Sequence, residues 1–159
     1  MAARVSWSPS LWASAQRRPS KRLALIAVNH AREDPVVKPR ILIVDDDDTI
    51  RELVAMALED EGYATAEACH GLEALDVVGR TPVDLILLDM RMPLMDGAGF
   101  ARAYHEGPGP HAPIIVFTAG RNPADAAAQT QAIGYLTKPF ELDRLLALVA
   151  KAVGGPAPA

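Results

Sequence analysis

Five short apolar runs, each closed by a polar residue and each followed by an amphipathic stretch, constrain this chain more than any other feature of its sequence. They fall at residues 41–44, 63–68, 83–88, 113–117 and 134–137. A continuous run such as Ile41-Leu42-Ile43-Val44 suits a strand covered on both faces, as strands of parallel sheets are. The stretches between the runs change period. Ile50, Leu53, Val54, Ala57 and Leu58 recur at spacings of three and four, which makes one core-facing helical stripe ended by Gly62. Leu72, Leu75 and Val78 predict a second helix over 71–79 with those side chains inward. A third spans about 99–106 and stops at Gly107-Pro108-Gly109-Pro110, and a fourth, rich in alanine, starts near Pro123. Leu142, Leu145, Leu146, Val149 and Val153 form the stripe of a fifth. Strands alternating with helices predict an α/β fold: a doubly wound parallel sheet with helices on both faces.

That sandwich does not use the whole chain. Arg4, Arg17, Arg18, Lys21, Arg22 and Arg32 all precede the first acid, Glu33, so the first 32 residues carry +6 and the remainder −10. The acidic remainder cannot be read as a nucleic-acid-binding surface. The basic segment, broken by Pro9 and Pro19, reads as an extension over residues 1–37 without a fold of its own. A flexible basic arm, an export or transit peptide and codons translated upstream of the true start are its three readings. The second is weak, because the apolar stretch after Arg17-Arg18 is only residues 23–28. Residues 154–159, with two glycines and two prolines, read as a flexible tail with no output domain after it. A single cysteine, Cys69, permits no internal disulfide, and no apolar run approaches the roughly 20 residues that span a bilayer.

In an open parallel sheet the site lies off the carboxyl ends of the strands. Here those ends deliver Asp45 and Asp46, then Asp89, Thr118 and Lys138. Three carboxylates at close range repel one another, so a site that gathers them needs a cation. Mg²⁺ fits, since it takes oxygen ligands and commonly only one or two protein carboxylates, with waters and a phosphoryl oxygen completing its shell. A carboxylate with one oxygen on the metal can turn the other on phosphorus to give an acyl phosphate. Lys138 and Thr118 would meet the incoming phosphoryl oxygens.

These residues stand in motifs: Ile41-Leu-Ile-Val-Asp45-Asp46, Leu85-Ile-Leu-Leu-Asp89-Met-Arg-Met-Pro93-Leu-Met-Asp96-Gly97, Val116-Phe-Thr118-Ala119 and Tyr135-Leu-Thr-Lys138-Pro139-Phe140. Over residues 38–153 the chain resembles the receiver domain of two-component response regulators, as in the single-domain chemotaxis regulators. The resemblance implies a flavodoxin-like sheet of five strands in the order 2-1-3-4-5. It implies that Asp89 accepts a phosphoryl group from a histidine kinase or a histidine phosphotransfer protein. Asp46, Asp89 and the backbone carbonyl of Arg91 would bind Mg²⁺ directly, and Asp45 through water. Lys138 would pair with the phosphoryl group, Thr118 would hydrogen-bond it, and Tyr135 would turn inward as the switch. The face made by helix 4, strand 5 and helix 5 would then contact a downstream protein or a second copy in a homodimer. On this reading the protein is a cytoplasmic, stand-alone phosphoacceptor with slow autodephosphorylation rather than an enzyme, with no direct DNA binding and no membrane contact.

Simpler readings exist for each residue. Asp47 and Asp48 are read as an ordinary helix start. Lys138 alone would be a surface lysine, Thr118 a strand-end cap and Tyr135 a core residue. His30, His70, His105 and His111 have no metal-site spacing and are assigned no chemistry. Two departures concern the switch rather than the acceptor: Thr118 and Lys138 are two residues closer than the family usually has them, and Gln131-Ala-Ile-Gly134 replaces Gly-Ala-Asp. His70 stands where Asn or Asp often precedes the glycine of helix 2. A phosphatase of the haloacid dehalogenase type would need an Asp where Arg91 stands, and a dinucleotide-binding turn would need glycines where the four aspartates stand. A pseudo-receiver would normally lack one site residue, and none is missing.

Overall fold

The computed structural model describes residues 37–154. The extension expected over residues 1–37 and the tail over 154–159 lie outside the described residues, apart from Val37 and Gly154. Strands β1 (Arg40–Val44), β2 (Ala64–Ala68), β3 (Leu85–Asp89), β4 (Ile114–Thr118) and β5 (Gly134–Thr137) alternate with helices. These are α1 (Asp48–Asp60), α2 (Gly71–Arg80), α3 (Gly97–Glu106), α4 (Pro123–Thr130) and α5 (Leu142–Val153). All strand pairs are parallel, in the order β2-β1-β3-β4-β5.

The apolar runs are continuous because alternate residues enter two different cores. Ile41, Ile43, Leu85, Leu87, Ile115 and Phe117 pack against Val54, Leu58, Leu145 and Val149 of α1 and α5. Leu42, Val44, Ile86, Leu88, Ile114 and Val116 pack on the other face against Ala74, Phe100 and Ala101 of α2 and α3. A polar residue anywhere inside β1, β3 or β4 would therefore be buried on one side or the other. The first polar position is the first beyond the sandwich, and for that reason each strand ends where its chemistry begins.

Caps set the helix boundaries. Asp47 accepts from the N–H groups of Thr49 and Ile50 at the start of α1, in keeping with its reading as a helix-start acid. His70 caps α2 by accepting the Glu73 N–H on Nδ1 at 3.1 Å. Asp96 caps α3, accepting from Gly99 N at 2.8 Å, which starts that helix at Gly97, two residues before the expected position. α4 has only two turns, and among its residues Thr130 is the one fully buried, consistent with the shortened spacing between Thr118 and Lys138.

Two expected core positions are corrected. Leu53 is 50% exposed, because the face that α1 presents to the sheet is centred on Val54, Ala55 and Leu58 and leaves Leu53 on its rim. Leu72 is exposed because α2 meets the sheet through Ala74; Leu72, two residues before it, points about 200° away. Tyr135, for which a place in the core was the simpler reading beside its role as the switch, is 40% exposed. No helix among the described residues is long and apolar enough to cross a membrane.

Candidate functional site

Four strand ends build one cluster. Asp45 follows β1 directly and is fully buried, and its N–H donates to Ala68 O, which closes the end of the β1–β2 pair. Its Oδ1 accepts the Asp47 N–H at 2.9 Å, and its Oδ2 accepts from Lys138 Nζ at 2.7 Å. Asp89 is the last residue of β3 and 5% exposed, with Oδ1 3.3 Å from the same ammonium. Asp46 is exposed, yet carboxylate oxygens of Asp45, Asp46 and Asp89 all lie within 4.8 Å of one another. Lys138, expected on its own to be a surface residue, leaves only 18% of its side chain exposed.

The backbone explains the convergence. Lys138 N donates to Thr118 O at 2.8 Å, so the residue after β5 is held to the end of β4. The Thr118 hydroxyl is buried and accepts the Gly120 N–H at 2.9 Å, which gives it the capping role of the simpler reading as well as a place in the site. Gly97 lies directly beneath the acceptor loop: a Cβ there would stand 2.6 Å from Asp89 O and 2.9 Å from Met90 Cα. Only glycine lets α3 start this close to the Asp89 backbone.

The charges do not balance. Burial first, and the neighbouring Asp45 charge second, push the Asp89 carboxyl up to about 6, against the opposing pull of Lys138 and of the Arg91 backbone N–H. Burial draws Lys138 down, but the Asp45 hydrogen bond and the Asp89 charge outweigh it and leave the ammonium above its ordinary value. One firmly charged ammonium thus faces three carboxyls. The donor set fits Mg²⁺: three carboxylate oxygen donors, one of them solvent-facing, and a surplus of negative charge held in a partly dry site. An acidic trio of this kind is typical of the Mg²⁺ site of receivers.

The structure brings Asp45, Asp46, Asp89 and Lys138 together and sets Thr118 at the adjoining strand end. Arg91 is exposed, and it is its N–H that acts on the Asp89 carboxyl. Tyr135 stands apart, opposite Val116 in the β4–β5 register with its ring outward. Sequence reasoning missed an apolar hollow of about 390 Å³ beside Lys138, formed by Ile50, Leu53, Pro139, Phe140 and Leu142. The signal was the apolar Pro-Phe pair after the lysine, which a helical stripe count passes over.

Comparison with known proteins agrees with this geometry. The model of the response regulator receiver domain matches residues 41–150. Response regulator MprA of Mycobacterium tuberculosis is 40% identical over 110 residues, 68% of this chain and 47% of that protein. The chain spans less than half the length of the curated relatives it matches. Among solved structures, the response regulator TrrA of Thermotoga maritima, in complex with Mg²⁺-BeF, superposes with a TM-score of 0.64 at 35% identity, covering 72% of this chain and 98% of that one. The chemotaxis protein CheY4 of Vibrio cholerae superposes with a TM-score of 0.66 at 30% identity, again covering 72% and 98%.

Proposed function

The chain belongs to the response regulator receiver family, and from that membership we propose that Asp89 receives a phosphoryl group from the phosphohistidine of a partner kinase or phosphotransfer protein. The observation that carries this reading is the pairing of a buried strand-end carboxylate with an ammonium 3.3 Å away, in a pocket with excess negative charge. An Asp89 oxygen forms a bond to phosphorus as the P–N bond breaks, and its electron pair leaves with the imidazole, which takes up a proton. Asp46, Asp89 and the Arg91 carbonyl are the proposed direct holders of Mg²⁺, with Asp45 acting through water. When bound, the ion neutralises phosphoryl oxygens. Lys138 turns from the carboxylates to the phosphoryl group, Thr118 donates its hydroxyl to it, and the exposed Tyr135 ring moves inward, changing the face of α4, β5 and α5 for a downstream protein or a second copy.

The hollow beside Lys138 is the proposed seat of the phosphodonor protein, because it is apolar and is lined in part by the lysine whose ammonium lies 3.3 Å from Asp89. Leu53→Arg should slow transfer from a kinase while leaving modification by acetyl phosphate unchanged. The reading also takes the receiver as cytoplasmic and free-standing. A native polypeptide that carries a further folded domain would overturn the free-standing part.

The deciding experiment is intact mass after exposure to acetyl phosphate and Mg²⁺. A gain of about 80 Da on the wild type and none on Asp89→Asn is expected. Equal uptake by both would move the acceptor elsewhere, and uptake by neither, with Mg²⁺ bound, would favour a pseudo-receiver.

A further inference from the structure

At the outer edge of the sheet a second set of donors gathers, separate from the acidic trio. Cys69 Sγ, a His70 ring nitrogen and a Glu73 carboxylate oxygen lie within 4.8 Å of one another, and all three residues are partly exposed. The arrangement is built by the turn from β2 into α2. Cys69 is the first residue after the strand, His70 caps the helix, and Glu73 is one turn in, so its carboxylate folds back over the cap. Glu73 Oε2 accepts from Cys69 Sγ at 2.8 Å and from Cys69 N at 3.2 Å, while His70 Nδ1 accepts the Glu73 N–H at 3.1 Å. Three donor atoms are therefore already pre-positioned by local backbone bonds, at a point open to solvent.

We propose that Cys69, His70 and Glu73 form a transition-metal site for a borderline-soft divalent ion of the Zn²⁺ class, with water in the remaining position. The donor types carry the choice of ion. One sulfur, one imidazole nitrogen and one carboxylate oxygen suit Zn²⁺ and its neighbours in the first row, whereas Mg²⁺ wants oxygen alone and belongs in the acidic trio. In the metal-free protein the Cys69 thiol donates its proton to Glu73 Oε2. On binding, the S–H bond breaks, an S–metal bond forms and one proton goes to solvent. Thiolate and carboxylate then neutralise the two positive charges of the ion. The positive end of α2, which would repel a bare cation, instead favours its two anionic ligands. Glu73 Oε2 keeps lone-pair capacity beyond the Cys69 N–H that orients it.

The site is tested on the full chain, freshly reduced, in excess Mg²⁺ so that the acidic trio is occupied. Titration with Co²⁺ should give a thiolate-to-cobalt charge-transfer absorption at one equivalent, with one proton released per ion and displacement by Zn²⁺. His70→Asn keeps a capping oxygen for the Glu73 N–H, so it should leave thermal stability unchanged while weakening the ion by at least about tenfold. Glu73→Gln should weaken it comparably, and Cys69→Ser should abolish the absorption. Absence of the charge-transfer band, or a band whose affinity is the same in His70→Asn and Glu73→Gln as in the wild type, would overturn the proposal, the latter by showing a lone thiolate.

Discussion

The two ends of the sheet are made from the same five strands and solve opposite problems. At the amino end, polar groups are mostly paired one to one, the buried Tyr63 hydroxyl being the exception among the described residues. Arg40 N donates to Asp84 Oδ2 and Asp84 N to Arg40 O, both at 2.8 Å. The Tyr104 hydroxyl accepts the Ala112 N–H at 2.7 Å, and His111 Nε2 donates to Gly107 O at 3.1 Å. At the carboxyl end one ammonium serves two buried carboxylates with a third close by, and burial first, with the Asp45 charge second, pushes Asp89 up to about 6. The difference teaches where the fold is stabilised and where it carries electrostatic cost. The amino end closes the sandwich, and the carboxyl end is held short of neutrality, ready for a cation and a phosphoryl group.

The contrast can be broken most severely at Lys138. Lys138→Met leaves Asp45 and Asp89 without their counter-charge and should lower unfolding free energy by about 3–5 kcal/mol in urea titrations at neutral pH, with partial recovery in Mg²⁺. Asp89→Asn should do the reverse. A carboxyl whose folded value is raised makes the protein lose stability as pH rises from its ordinary range through about 6. Removing it should therefore stabilise the Mg²⁺-free protein by about 1–3 kcal/mol above pH 7, and by little near pH 4. A gain that did not depend on pH would refute the electrostatic account.

Gly97→Ala tests the backbone contact under Asp89. The added Cβ would sit 2.6 Å from a carbonyl oxygen, so a loss of about 1–3 kcal/mol and slower acetyl phosphate modification are expected together. At the paired end, Tyr104→Phe strands the Ala112 N–H and should cost about 1 kcal/mol in thermal unfolding without changing modification by acetyl phosphate. Smallest of all, Asp76→Ala removes the exposed Arg80 ion pair and should shift stability by under about 0.5 kcal/mol.

Much of this was readable in advance. The strands β1, β3 and β4 were legible because burial on both faces leaves no room for polar residues inside them, and Asp89 was legible because it is the first residue past such a run. Strand lengths and caps came within a residue or two. Helix stripes were less reliable: Leu53 and Leu72 have the spacing of core residues, yet the sheet meets α1 and α2 along a narrower line than the stripe allows. His70 was read as idle, since its cap and its nearness to Cys69 and Glu73 depend on the angle at which β2 turns into α2.

The sequence by itself determined which residues could carry chemistry here, because hydrophobic periodicity tells where strands stop, and strands of one parallel sheet all stop on the same side. Only the tertiary structure decided how those residues act on one another. Lys138 and Asp45 are 93 residues apart, and their 2.7 Å contact exists because β1, β3, β4 and β5 are placed side by side in one register. Charge repulsion falls off with distance and strengthens with burial, so the raised Asp89 carboxyl, and with it the readiness of the site, is a property of that placement and not of any stretch of chain.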